Sequence, residues 1–550
     1  MFARFLATVF LFFIAGSSAY NILLVTVGHA GHVTPLFELA KSLQNHNITF
    51  VTQQVAKLYV NFNEHPNPSS FHLIFTTTTT EEMQREKEKE QDLIRHAANH
   101  SFFDSLSYSL ELLNEDSNRI LNTTIHQLMD EQYDLIIGNS VLKSLVVLSN
   151  KAQIPCVVQS TEVLPNFFDF NAPATYAGLN KKHMTQLVYR LYNVIFKLRL
   201  MIGISTRMIP TFMKKLDTMP RIPGPFYDAF NLKTFFSMDT HCLELYSIPA
   251  TLFIVGPSDP YTKYLGAFIS MDSKQEPEEN EFVQWIRSKP ENSIVYGAFG
   301  TSSLIHFQRM NSLVNGLIKF LSTFQDASLI FGLRGTNYDV YQNVLKQLSN
   351  EKDRTLLNDP TRVRIERGFL PQKWILQQPA VKLFISHCGM GSCSEGIFFG
   401  KPILCMPFNM DQFLNSMAID ETGVGLSLFV PPSLFESLIH PHNFQGYTFS
   451  STNVTDKLSA IWNDPKYTKS IQLMSAEMKH AGGTKRAVEE IEYFMKLDGN
   501  LDRYLSFSMK LPFYQRYTLD LLLVLVIVPL FSIYFILKRC CRRVPKQKLD

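Results

Sequence analysis

Near the end of this 550-residue chain, Leu521 to Leu537 runs for seventeen residues without a charge, and Lys538, Arg539, Arg542 and Arg543 follow closely. Nothing else in the sequence constrains folding so tightly. A segment of this kind in lipid must satisfy its own backbone, so it can only be a helix. At about 1.5 Å per residue it covers roughly 26 Å, slightly less than a bilayer core, and Tyr517 to Leu519 supply the rest. The expected span is therefore 517–537. Its basic flank predicts a cytosolic tail, 538–550, with the bulk of the chain lumenal.

The opposite end fits that topology. Arg4, the apolar stretch Phe5 to Ala15 and the small residues Ser17, Ser18 and Ala19 form a secretory signal peptide, expected over 1–19. Lys546 and Lys548 stand in the KxKxx spacing of signals that return membrane proteins to the endoplasmic reticulum. A single-pass type I protein of that membrane is expected. Five cysteines fall on the lumenal side: Cys156, Cys242, Cys388, Cys393 and Cys405. An odd number leaves at least one thiol unpaired, and Cys388 and Cys393 read as packing residues. Cys540 and Cys541 adjoin the span and are open to acylation or simply bystanders. Sequons at Asn47, Asn99, Asn122 and Asn453 agree with a lumenal glycoprotein. A net charge of +3, with 18% charged residues, gives no broad basic field and excludes nucleic acid as a partner.

Between these ends the pattern is α/β. Ile22 to Val27 is a nearly continuous apolar run, the mark of a strand buried on both faces in a parallel sheet. Thr34-Pro35 predicts a helix start, followed by Leu36, Leu39, Ala40 and Leu43 at helical spacing, then a strand over Ile48–Thr52. Tyr133–Ser140 and Ile154–Ser160 predict further strands. The charge run Glu81–Asp92 reads as a solvated helix or loop. Residues 161–245, rich in Phe, Tyr, Met and Leu, predict helices along an apolar cleft. The pattern breaks at Val255–Pro260 and restarts with strands in "SIVYGAFG", "ASLIFGLRG", "VKLFIS" and "PILCMP". Two similar domains with parallel sheets are expected, 20–255 and 261–510.

The strand Val381–Ser386 stops at His387, and Cys388 to Ser392 form a loop of small residues before a helix expected over about Ser394–Phe399. Free N–H groups and the helix dipole make such a junction a place for phosphate. Gly389, Gly391 and Ser394 miss the dinucleotide fingerprint, and there is no Walker lysine. Spacing alone fits a phosphate site or an ordinary turn. The longer stretch "FLPQKWILQQPAVKLFISHCGMGSCSEGIFFGKPILCMPFNMDQFLN", Phe369 to Asn415, resembles the signature of the UDP-glycosyltransferases of the glucuronosyl/glucosyltransferase family. With the signal peptide, span and lysine tail, the resemblance is to its membrane-bound animal branch.

That resemblance implies a GT-B fold, two facing Rossmann-like domains with the donor held by the second. It implies that Phe369, where the family usually has Trp, stacks on uracil, and that Gln372 bonds the nucleoside. His387 and the loop Gly389 to Ser392 would hold the diphosphate, with Gly300 and Thr301; Gly391 stands where the family usually has Asn. Glu395 would accept from the ribose hydroxyls, and Asp411 and Gln412 would bind the sugar. His32 matches the family base, with His29 as the alternative, and Asn139 replaces the aspartate that orients it. The implied reaction is inverting transfer of a hexosyl or glucuronosyl group from a UDP-sugar to a small lipophilic acceptor, whose pocket Phe167 to Tyr176 would shape. Asn139 and Gly391 motivate an alternative: a non-catalytic membrane-anchored relative that binds nucleotide sugar or a hydrophobe, or modulates active partners. No metal cluster at zinc spacing is present in the sequence, and no cofactor beyond the UDP-sugar is expected. Homo- or hetero-association is left open.

Overall fold

The computed structural model describes residues 19–76, 118–142, 144–161, 181–218, 242–253, 260–269, 277–300, 303–368, 370–408, 411–431, 447–504, 511–516 and 518–541, with single residues between them. The signal-peptide residues 1–18, Asn99, Thr301, Phe369, most of Phe167–Tyr176, Tyr517 and the tail 542–550 lie outside the described residues.

Among the described residues, seven parallel strands build the first sheet: β1 (Asn21–Val25), β2 (Asn47–Thr52), β3 (Phe71–Phe75), β4 (Leu135–Asn139), β5 (Cys156–Ser160), β6 (Leu243–Tyr246) and β7 (Thr262–Tyr264), in the order β3-β2-β1-β4-β5-β6-β7. The central strand β1 pairs on both edges, Ile22 opposite Ile48 on one side and Leu135 on the other. Ile22, Leu23, Leu24 and Val25 are all fully buried, which is why the run reads as continuously apolar. Each such side chain contributes about 1.5–3 kcal/mol by leaving water.

The described part of the second sheet has six parallel strands, β8 (Ile294–Ala298), β9 (Ser328–Gly332), β10 (Val363–Glu366), β11 (Val381–Ser386), β12 (Ile403–Cys405) and β13 (Gly425–Ser427), ordered β10-β9-β8-β11-β12-β13. Helices cover it on both faces. On one face, helix Phe307–Thr323 meets helix Ser451–Asn463 at Gly316, where a Cβ would stand 2.5 Å from Val454 Cβ and 2.8 Å from the Ser451 carbonyl. The glycine lets the two backbones approach, and Thr455 Oγ1 donates to the Gly316 carbonyl at 3.1 Å.

Three expectations need correction. The boundary expected between 255 and 261 falls inside the first sheet, because β7 is its edge strand. Helix Gly483–Lys496 also returns to that sheet, placing Ala487, Ile491 and Phe494 in the core with Leu36 and Leu39. A three-residue edge strand and one amphipathic helix carry no signal of which sheet they will join. The first helix spans Ala30–Ser42, so it begins before Thr34-Pro35; His29 caps it, and Pro35 lies inside, where the missing N–H leaves the Gly31 carbonyl without its i+4 donor. The helix after β11 spans Met390–Phe398, so Gly391 and Ser392 belong to its first turn. The described members of the charge run, Glu81, Gln84, Glu88 and Asp92, are helical and exposed, as a solvated helix requires.

Leu519–Arg539 forms one helix of 21 residues, long and apolar enough to cross a bilayer, with its side chains outward. Leu523–Ile527 winds as a π-helix just ahead of Pro529, which has no N–H to give the preceding turn.

Candidate active site

Each sheet changes winding direction once, between β1 and β4 in the first and between β8 and β11 in the second. Loops leaving the carboxyl ends of such neighbouring strands diverge, and the crevice between them is where open α/β sheets take ligands. His29 and His32 follow β1, Asn139 ends β4, Gly300 follows β8, and His387 to Gly389 follow β11. The two crevices open on one cleft of about 510 Å³. His32 lines it from the first sheet; Gly300, Gln372, His387, Gly389, Gly391, Ser392, Glu395 and Asp411 line it from the second. Asn139 and Gln412 do not line this cleft.

The second-sheet wall is built around the start of helix Met390–Phe398. Gly389 is its N-cap; the Met390 N–H donates to Asp411, and the N–H groups that follow it in the first turn make a local positive end. The His387 ring is wedged between two glycines: a Cβ would stand 2.6 Å from its Nε2 at Gly300, and 2.5 Å at Gly389. Gly300 also has φ +67°, a conformation with no steric cost for glycine. Burial pushes His387 down to about 4, so the ring is neutral at physiological pH, and its buried Nδ1 has no hydrogen-bond partner among the described residues.

Gln372 opens the helix Gln372–Gln377 and donates from Nε2 to Glu395 Oε2 at 2.7 Å and to Ser392 Oγ at 3.1 Å. Two of the expected site residues, Ser392 and Glu395, therefore converge on the amide of a third, Gln372. Burial pushes the Glu395 carboxyl up, while Lys373 and Gln372 act against it. Asp411 is pushed up to about 6 by burial, against hydrogen bonds from Asn415 and the Met390 N–H. Gln412 is buried, and its Oε1 accepts from the Phe408 N–H at 2.8 Å.

The first-sheet wall differs in character. Burial, aided by neighbouring His29, holds His32 down to about 4, with Asn139 acting weakly the other way. Among the described residues, His32 Nδ1 is buried without a hydrogen-bond partner of ordinary geometry. The Asn139 amide is engaged elsewhere: Nδ2 donates to Gln159 Oε1 at 3.1 Å, and Oδ1 accepts from the Val141 N–H at 3.1 Å. Gln159 in turn donates to Ser247 Oγ at 3.1 Å, so a buried polar chain runs from Asn139 to Ser247 across the strand ends.

Two features escaped the sequence reading. Lys373, immediately after Gln372, bonds Glu38 of helix Ala30–Ser42 at 3.2 Å, an ion pair across the cleft between residues 335 positions apart. Burial disfavours its ammonium, yet Glu38 and then Glu395 outweigh that and raise its pKa. Cys388, expected as a packing residue, is instead bonded to Cys405, while Cys156 is bonded to Cys242 and Cys393 is the buried free thiol. Cys388 also has φ +60°, which costs a residue with a Cβ about 1–2 kcal/mol. Strands β11 and β12 are adjacent, and a pairing between strand ends 17 residues apart is a product of register that spacing does not specify. Among the described residues no group of His, Cys, Asp and Glu is placed to hold a metal ion.

Over residues 260–549, more than half its length, the chain matches the family model described as UDP-glucoronosyl and UDP-glucosyl transferase. The chain belongs to that family. Beta-D-glucosyl crocetin beta-1,6-glucosyltransferase of Gardenia jasminoides is 30% identical over 149 residues, 27% of this chain and 32% of that relative. Baicalein 7-O-glucuronosyltransferase of Scutellaria baicalensis is 24% identical over 238 residues, 41% of this chain and 51% of the relative. The matched part thus spans between a third and a half of these relatives. Among solved structures, a UDP-glucosyltransferase from Polygonum tinctorium superposes with a TM-score of 0.56 at 13% identity, over 88% of this chain and all of that one. LpCGTa, solved in complex with UDP, gives 0.51 at 15% identity over the same shares. At these identities the likeness concerns fold, and the fold is GT-B, as the family resemblance implied.

Proposed function

We propose that this UDP-glucosyl/glucuronosyl transferase family member transfers a hexosyl or glucuronosyl group from a UDP-sugar to a small lipophilic acceptor, with inversion. One observation carries the proposal: His32 from the first sheet and the Gln372, His387, Glu395 and Asp411 group from the second line one cleft. In this reading the acceptor oxygen bonds to the anomeric carbon as its proton passes to His32. The bond to UDP breaks on the opposite face, and the leaving diphosphate meets the N-terminal amides of helix Met390–Phe398. Glu395 and Gln372 take the nucleoside, and Asp411 the sugar. No cofactor is called upon.

The proposed location is the endoplasmic reticulum membrane, signal peptide removed, with both sheets lumenal and Leu519–Arg539 as the span. The cystines favour an oxidising compartment. Asn47 and Asn453 are exposed at their sequons. Protease added to sealed microsomes should remove the tail alone, and endoglycosidase should increase the gel mobility of the protected fragment. Digestion of the bulk without detergent rejects this topology.

A second reading, a non-catalytic relative, is favoured by the weakly supported ring of His32 and by the amide of Asn139, which bonds Gln159 and the Val141 N–H. Radiolabelled UDP-glucose and UDP-glucuronate assayed with a panel of phenols and alcohols, beside calorimetry with UDP, separate the two. Transfer to any acceptor supports the enzyme; UDP binding without transfer or donor hydrolysis supports the binding protein.

A further inference from the structure

Cys388 lies between the two residues that shape the proposed diphosphate site, His387 and Gly389. Its φ of +60° belongs to the left-handed region that favours glycine. Three bonds hold it there. Its sulfur is joined to Cys405, the last residue of β12. Its N–H donates to Ser386 Oγ at 3.0 Å, and its carbonyl accepts from Asn415 Nδ2 at 3.0 Å. The same Nδ2 donates to Asp411 Oδ2 at 2.6 Å, which links the loop to the proposed sugar contact. Ser386 and Cys405 are register partners, so the disulfide fastens the loop to the neighbouring strand at the ligand edge of the sheet. Both cysteines are fully buried, out of reach of solvent thiols.

A turn in the other hand at Cys388 would swing His387 out from between Gly300 and Gly389 and tilt the start of helix Met390–Phe398. We propose that the Cys388–Cys405 disulfide is a positioning element of the donor site: it locks the left-handed turn that brings the His387 ring and the first free amides of the helix to one anion position. This rests on the donor reading above. A staple that served stability alone would act equally wherever it tied the two strands. A positioning element acts on donor binding, and its effect is replaceable by a residue that adopts φ +60° without strain.

The test compares two double variants of the full chain, Cys388→Ala with Cys405→Ala and Cys388→Gly with Cys405→Ala, by calorimetry with UDP and by thermal unfolding. Both lose the cross-link. The alanine pair should bind UDP about tenfold more weakly, the equivalent of the left-handed penalty, while the glycine pair recovers most of that loss. Acceptor KM should stay within about twofold of wild type in both, since the acceptor wall is on the other sheet. Wild-type affinity in both variants, or equal weakening in both, overturns the proposal. If the alanine pair does not fold, the glycine pair decides alone: UDP affinity within about threefold of wild type supports it, and a loss beyond about tenfold overturns it. A wild-type protein that does not bind UDP at all rejects the donor reading itself, and this proposal with it.

Discussion

At the scale of single residues, the state of His32 turns on burial outweighing a weak partner. Held down to about 4, it is neutral throughout the physiological range and available to accept a proton. The acceptor kcat/KM of the wild type should therefore show no acid limb from His32 between about pH 5.5 and 8. Asn139→Asp adds a negative charge beside the ring and raises its pKa, so a limb should enter that window, with rate falling as pH falls. Gln159 must turn its amide to offer Nε2, because its Oε1 now accepts from Asn139. A profile lowered equally at every pH would mean that the buried network tolerates only the amide. His32 and His387 also set the sign of acid stability. Both stay neutral in the fold while the unfolded chain titrates near 6.5, so protons bind the unfolded state first. Stability present above pH about 6.5 is lost as pH falls towards about 4, readable as a declining melting temperature. Gly391 offers a simpler test, since a Cβ there meets nothing within 4 Å. Gly391→Asn, restoring the family's usual residue in the helix's first turn, should fold normally and lower the donor KM; an unchanged KM would mean that the lost contact has no counterpart here.

At the scale of elements, close backbone approach decides what can change. Helices Phe307–Thr323 and Ser451–Asn463 touch through Gly316, and the nearest atoms include a backbone carbonyl that cannot rotate away. Gly316→Ala should destabilise by about 1–3 kcal/mol through overpacking, despite alanine's better helix propensity. Chemical denaturation measures it, and a gain in stability would show that the helices can separate at no cost. The strands β8, β9, β11 and β12 were legible because burial on both faces demands uninterrupted apolar residues. Their edge neighbours were not: the alternation Val-Arg-Ile-Glu of β10 lasts only four residues, and Gly-Leu-Ser of β13 offers a single large apolar side chain, so neither stands out as a buried run. The helix starts at Ala30 and Met390 were misread for a related reason. Neither His29 nor Gly389 makes a side-chain cap, and sequence rules look for one.

At the scale of the whole molecule, the cleft is crossed by the Lys373–Glu38 pair, which joins helix Gln372–Gln377, on the proposed donor side, to the helix bearing His32. Glu38 is 6% exposed and also pairs with Lys41 at 2.8 Å, so the carboxylate keeps one partner when the other is removed. Lys373→Met should cost at most about 3 kcal/mol for that reason, below the usual penalty for stranding a buried charge. It should also raise the donor KM, because Glu395 loses its cation. Adding Glu38→Gln should restore stability but not donor KM. Denaturation and donor kinetics on the two single variants and the double separate these effects; full additivity in stability would mean that the pair is not coupled.

Local chemistry was enough for the parts of this protein that one stretch of chain can specify. An uncharged run must be a helix in lipid, apolar runs must be buried strands, and the stretch from Phe369 to Asn415 identifies a family and most of one wall of the cleft. What depended on residues far apart in sequence needed the folded chain. The partner of Lys373 lies 335 positions away, Cys388 finds Cys405 through strand register, and Asn139 at the end of β4 bonds Gln159 on the neighbouring strand β5. The same side chains at the same spacing permit other pairings. Packing both sheets and closing the cleft decides among them, because most buried polar groups must then find a partner within hydrogen-bond reach.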